Sequence, residues 1–102
     1  MDILDFNYFV KRLSEGRFID ETQFYFLDDP LEADYFVGYQ SEFDCPYWIG
    51  DCDIEGGCEF KTAEELVNAP VYDGKSLADR WDMVRIVNIG GICLKDWLEM
   101  SE

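Results

Sequence analysis

The chain has 102 residues, 48% of them hydrophobic, and a formal net charge of -15 from 23 acidic and 8 basic side chains. That length supports one hydrophobic core, and with no run of about 18 consecutive apolar residues there is no candidate membrane-spanning helix. The charge balance sets aside nucleic acid and anionic membranes as direct partners, because phosphate binding draws on clustered Lys and Arg, which are scattered here.

The opening residues, Met1-Asp2-Ile3-Leu4-Asp5, lack a basic stretch ahead of an apolar run, so the expected location is cytoplasmic. Phe6, Phe9, Val10 and Leu13 then repeat at i, i+3, i+4 and i+7, which predicts an amphipathic helix capped by Asp2 or Asp5 and ended by Gly16.

From Phe18 to Phe60 there is no lysine or arginine, but there are 12 Asp and Glu and 11 of the 17 aromatic residues. This window alone carries a charge of -12. An acidic run poor in apolar residues would be disordered; one interleaved with aromatics predicts folded strands. Three follow in order: Thr22 to Asp28, broken by Asp28-Asp29-Pro30; Tyr35 to Gln40, with Gly38 as a bulge or close-approach point; and Tyr47 to about Ile54, closed by Gly56-Gly57. Short polar connections favour an antiparallel meander, with its wet face expected to carry the carboxylates.

Thr62-Ala63-Glu64-Glu65 is a capping box that predicts a short helix to about Asn68, ahead of Pro70. Asp73-Gly74 marks a turn, Ser76 to Asp79 a helical turn leading to Trp81, and the β-branched run from Met83 to Ile89 a well-buried strand. After Gly90-Gly91, Leu94, Trp97 and Leu98 suit a final helix, with a strand over Ile92 to Leu94 as the alternative. Together these elements predict a single α+β domain over residues 1–102: a small, mostly antiparallel sheet of three to five strands, an N-terminal helix and two or three short helices.

Candidate chemistry is sparse. Without histidine, His-activated serine or cysteine nucleophiles are excluded. Cys45, Cys52, Cys58 and Cys93 lack a C-x-x-C spacing, so zinc would require all four thiolates. Two disulfides in any of three connectivities would need an oxidising compartment, and free thiols in a core are the simpler expectation. Asp51-x-Asp53-x-Glu55-Gly56 resembles the start of an EF-hand loop, but Thr62 occupies the twelfth position where a glutamate belongs, leaving Asp51, Asp53 and Glu55 a weak calcium candidate. Close carboxylate pairs will arise by chance among 23 acidic residues and do not predict catalysis. No cofactor is expected.

The sequence predicts a non-catalytic, acidic protein-binding module. Fixed negative charge attracts basic partners, so the leading expectation is an inhibitor that imitates nucleic-acid charge and blocks a nuclease, restriction complex, CRISPR effector or DNA-binding regulator, as counter-defence and immunity proteins do. The predicted contact set is Asp28, Asp29, Glu32, Asp34, Glu42, Asp44, Asp51, Asp53, Glu55 and Glu59, with Tyr39, Tyr47 and Tyr72 as the tyrosines expected outside the core. The alternative is an interaction module that docks through an apolar face at Trp81, Trp97 or the first helix, its acidity serving solubility.

Overall fold

The computed structural model describes residues 3–16, 19–31 and 33–101. Helix α1 (Phe6–Glu15) begins where the Asp5 carboxylate accepts the Tyr8 amide at 3.0 Å, and ends at Gly16, whose φ of 65° lets its amide close on the Arg12 and Leu13 carbonyls. Phe9 and Leu13 are fully buried from this helix. Asp2, the other predicted cap, lies outside the described residues.

Five strands follow the predicted order of signals but not all of their lengths: β1 (Glu21–Phe26), β2 (Tyr35–Tyr39), β3 (Tyr47–Ile49), β4 (Cys58–Phe60) and β5 (Val84–Ile89). They form one antiparallel sheet in the order β4-β3-β2-β1-β5, a meander whose first strand also pairs with β5. Strand alternation places Thr22, Phe24 and Phe26 of β1 on one face, and register aligns them with Val37 and Tyr35 of β2 and with Ile89, Ile86 and Val84 of β5. Ile49 continues the row across β3.

Helix α2 (Ala63–Asn68) packs against α1, β3 and β4, and α3 (Leu94–Ser101) packs against β5. The buried face of the sheet and the apolar stripes of the helices share one core, in which Phe9, Phe24, Phe26 and Trp97 are the largest fully buried side chains. A side chain of this size contributes about 2–3 kcal/mol on burial.

The structure corrects several expectations. β3 stops at Ile49 rather than near Ile54, because Gly50 and the exposed carboxylates that follow leave no alternating apolar row to extend. Cys58–Phe60 forms an unexpected edge strand that pairs back on β3. Val87 is 41% exposed on the otherwise buried β5 because it points to the outer face. The final segment is the expected helix, from Leu94, and the alternative strand over Ile92 to Leu94 is reduced to a bridge between Ile92 and Ile89 in the turn before it.

The outer face carries mainly Tyr25, Phe36, Trp48 and Val87, with Glu21 and Glu59 as its acidic members, so it is aromatic rather than lined with carboxylates. Gly38 explains part of this arrangement. A Cβ there would lie 2.5 Å from the Trp48 ring and 2.1 Å from the Asp20 carbonyl, so only glycine lets the indole lie flat across β2.

Candidate functional site

Meander connectivity decides where the carboxylates go. The β1–β2 connection (27–34) and the β3–β4 connection (50–57) must leave the same end of the sheet, and the β2–β3 connection (40–46) the opposite one. Asp28, Asp29 and Asp34 therefore gather with Asp51, Asp53 and Glu55, whereas Glu42 and Asp44 lie at the far end. Glu59 projects from the outer face of β4, and Glu32 lies outside the described residues.

A third segment, between α2 and β5, joins the first end. The Asp53 amide donates to the Val71 carbonyl at 2.8 Å, and its carboxylate accepts the amides of Asp73 and Gly74 at 2.7 and 3.3 Å. This brings in Asp73, an acidic member absent from the predicted set; its Asp-Gly turn was legible in the sequence, but its docking on Asp53 depends on the tertiary fold. Asp29 is also partly structural, accepting the amides of Leu31 and Ala33 at 2.9 and 3.3 Å.

Among the described residues, Asp28 is the one member of the predicted set in an ion pair, with Arg80. That guanidinium also lies 3.8 Å from the centre of the Phe26 ring. Asp34, Asp51 and Glu55 are exposed, and among the described residues their side chains have no hydrogen-bond or ion-pair partner.

Between these segments lies a cavity of about 380 Å³ lined by Tyr35, Asp51, Cys52, Asp53, Glu55, Tyr72, Asp73 and Arg80. Burial, followed by the charge of Asp29, pushes the Tyr35 phenol above its ordinary pKa; Asp51 and Asp53 push the same way while Arg80 opposes them. Burial also pushes the Tyr72 phenol upward, with smaller contributions from Cys52, Cys58, Tyr35 and Asp51. The Cys58 thiol is pushed up to about 11 by burial and by the adjacent Cys52.

The predicted tyrosine anchors lie inward. Tyr72 is 3% exposed and Tyr47 is 7% exposed, and Tyr39 is half-buried with its ring against Tyr47 and Gly16. Their polar sequence neighbours belong to loops, whereas register with Val37 and Ile49 turns Tyr39 and Tyr47 toward α1, where the Tyr47 hydroxyl donates to the Ser14 carbonyl at 3.2 Å. Of the predicted apolar docking residues, Trp97 is fully buried, and Trp81 is half-buried, packing on Phe6 and Phe9 while donating its indole N–H to the Leu4 carbonyl at 2.6 Å.

All four cysteines are free thiols, Cys93 exposed and the others half-buried. Among the described residues no three His, Cys, Asp or Glu side chains are placed to hold one metal ion, and Asp53 of the calcium candidate is turned toward the Asp73 and Gly74 amides. No helix of the described residues is long and apolar enough to cross a membrane. Comparison with family models, curated proteins and solved structures gives no match to this chain.

Proposed function

We propose that this protein is a non-catalytic binding module that presents the acidic end of its sheet to a basic protein partner and inhibits it by imitating nucleic-acid charge. The observation that carries this reading is the gathering at one end of the sheet of carboxylates from separate segments that have no ion-pair partner among the described residues: Asp34 ahead of β2, Asp51 and Glu55 after β3, and Asp73 beyond α2. Negative groups gathered at one end of the sheet raise the rate of encounter with a Lys- and Arg-rich groove at range. A nuclease or another nucleic-acid-binding protein supplies such a groove. Free thiols suit a reducing compartment, so the proposed site of action is the cytoplasm.

The test is capture of the partner from a cell lysate at low salt, elution with rising salt, and measurement of the purified pair. Affinity is expected to fall by about tenfold or more between roughly 50 and 500 mM NaCl, because screening shortens the reach of these charges to a few ångströms. A salt-indifferent complex would point instead to docking on the outer sheet face, a second reading favoured by the partly exposed Tyr25, Phe36, Trp48 and Val87.

A further inference from the structure

Each end strand of the sheet leaves one row of backbone groups without a neighbouring strand, and β5 is the longer of the two. The Leu27 amide donates to the Met83 carbonyl, so Tyr25 and Arg85 form a hydrogen-bonded pair, and the N–H and C=O of Val84 and Ile86 turn away from β1. Beyond the irregularity between Gln23 and Phe24, where Val87 is the extra residue, the Gly90 amide on the Glu21 carbonyl turns those of Ile89 the same way. Most of this row is answered within the chain. The Val84 amide donates to the Trp81 carbonyl, and Ile89 and Ile92 exchange both of their backbone bonds at 2.8 and 3.1 Å. Arg85 supplies the remaining donor: it leaves the outer face and bends over the edge, where one guanidinium nitrogen donates to the carbonyls of Val84 and Asp82, each at 2.9 Å. Among the described residues, only the N–H and C=O of Ile86 in this row have no partner.

We propose that Arg85 guards this edge against a second copy of the chain. An antiparallel pair of β5 strands centred on Arg85 would join the Ile86 N–H of each copy to the Val84 carbonyl of the other, and that carbonyl is the one Arg85 occupies. In the same register the two Arg85 side chains stand opposite one another, so like charge adds to the block. A second copy is the occupant that β5 suits, because a strand paired with itself meets the same row in reverse, and Val84, Ile86, Val87, Asn88 and Ile89 bring no charge to the contact. At the opposite edge, β4 has three residues with Glu59 at their centre, which bars pairing by shortness and by charge. β5 is six residues long and mostly β-branched, so its protection falls to Arg85 at one end and Ile92 at the other.

The experiment compares the full-length protein with Arg85→Gln, which keeps part of the stem on the outer face, and with Arg85→Ala, by light scattering on a sizing column and by backbone amide exchange. Wild-type protein is expected to remain monomeric from roughly 10 to 500 µM, with the Ile86 amide exchanging fast and the Arg85 amide, paired to Tyr25, slowly. Both variants should self-associate about tenfold more tightly or better, with protection at Ile86 rising with concentration, as loss of a charged hydrogen bond implies. Bulk charge predicts the reverse, since removing a cation from a chain of net charge -15 increases the repulsion between copies. Monomeric variants with native circular dichroism, association that leaves Ile86 unprotected, or wild-type protein already protected there to the same degree would overturn the proposal. If the Ala variant unfolds, the Gln variant decides; unfolding of both would assign Arg85 to the fold rather than to the edge and overturn it equally.

Discussion

At Gly38, one hydrogen in place of a methyl group decides whether β2 can pass under Trp48. An alanine Cβ would sit 2.1 Å from the Asp20 carbonyl oxygen and 2.5 Å from the indole, and backbone cannot yield as a flexible side chain can. Gly38→Ala is expected to cost about 3 kcal/mol, read from urea unfolding, against about 1 kcal/mol for Gly74→Ala, where φ is +80° but the space is open. A glycine within an aromatic strand signals close approach in the sequence itself; that Trp48 is what approaches could be learned only from the β2–β3 register. Titration gives a second residue-level expectation. Cys58 is raised from an ordinary 9.0 to about 11, and Tyr35, Tyr47 and Tyr72 are raised above 10.0, each chiefly by burial. Above about pH 9 the unfolded chain therefore sheds protons that the folded chain keeps, fewer protons are bound unfolded than folded, and stability declines as pH rises. Urea midpoints should be level up to about pH 8 and fall from pH 9 to 11, with Tyr72→Phe falling less steeply above pH 10. A midpoint that stays level to pH 11 would mean that these groups ionise without opening the fold.

Among the elements, those with an internal signal were readable and those that exist only through pairing were not. α1 carries both its stripe and its caps in its own sequence. α2 carries its start, where Thr62 accepts the Glu65 amide at 3.1 Å. The reciprocal half of that box differs from expectation, because the Glu65 carboxylate receives the Thr62 hydroxyl at 3.2 Å rather than the Thr62 amide. With both bonds centred on one hydroxyl, Thr62→Ala is expected to cost about 1–2 kcal/mol, and Thr62→Ser to recover most of it, by thermal or urea unfolding. Loss of an equal amount in the serine variant would assign the effect to the threonine methyl. By contrast, β4 has three residues, Cys58, Glu59 and Phe60, too few to display a period, and it is a strand because β3 offers it an edge. The Tyr47 and Tyr72 misplacements have the same origin, since which side of a strand or turn meets the core is settled by a partner distant in sequence.

Over the whole molecule, a block of negative charge that is continuous in sequence is divided in space. Successive hairpin connections of a meander alternate between sheet ends, so the residues 27–34 and 50–57 share one end while 40–46 occupies the other. β2, at five residues, separates those ends by roughly 15 Å, about twice the screening length of about 8 Å at physiological salt. The two acidic groups therefore act as independent surfaces, and only the first is augmented by Asp73. Charge reversal can assign function between them. Asp34→Lys, Asp51→Lys and Glu55→Lys combined alter exposed carboxylates without hydrogen-bond partners among the described residues, leaving the Asp53 and Asp29 turn contacts in place. Their combination should reduce partner affinity by about a hundredfold or more with native circular dichroism retained, whereas Glu42→Lys with Asp44→Lys should change it by about twofold or less. Equal losses from the two variants would mean that the partner responds to net charge rather than to one end of the sheet. A larger loss from the Glu42 and Asp44 pair would transfer the interface to the far loop, beside Asp20 and Tyr39.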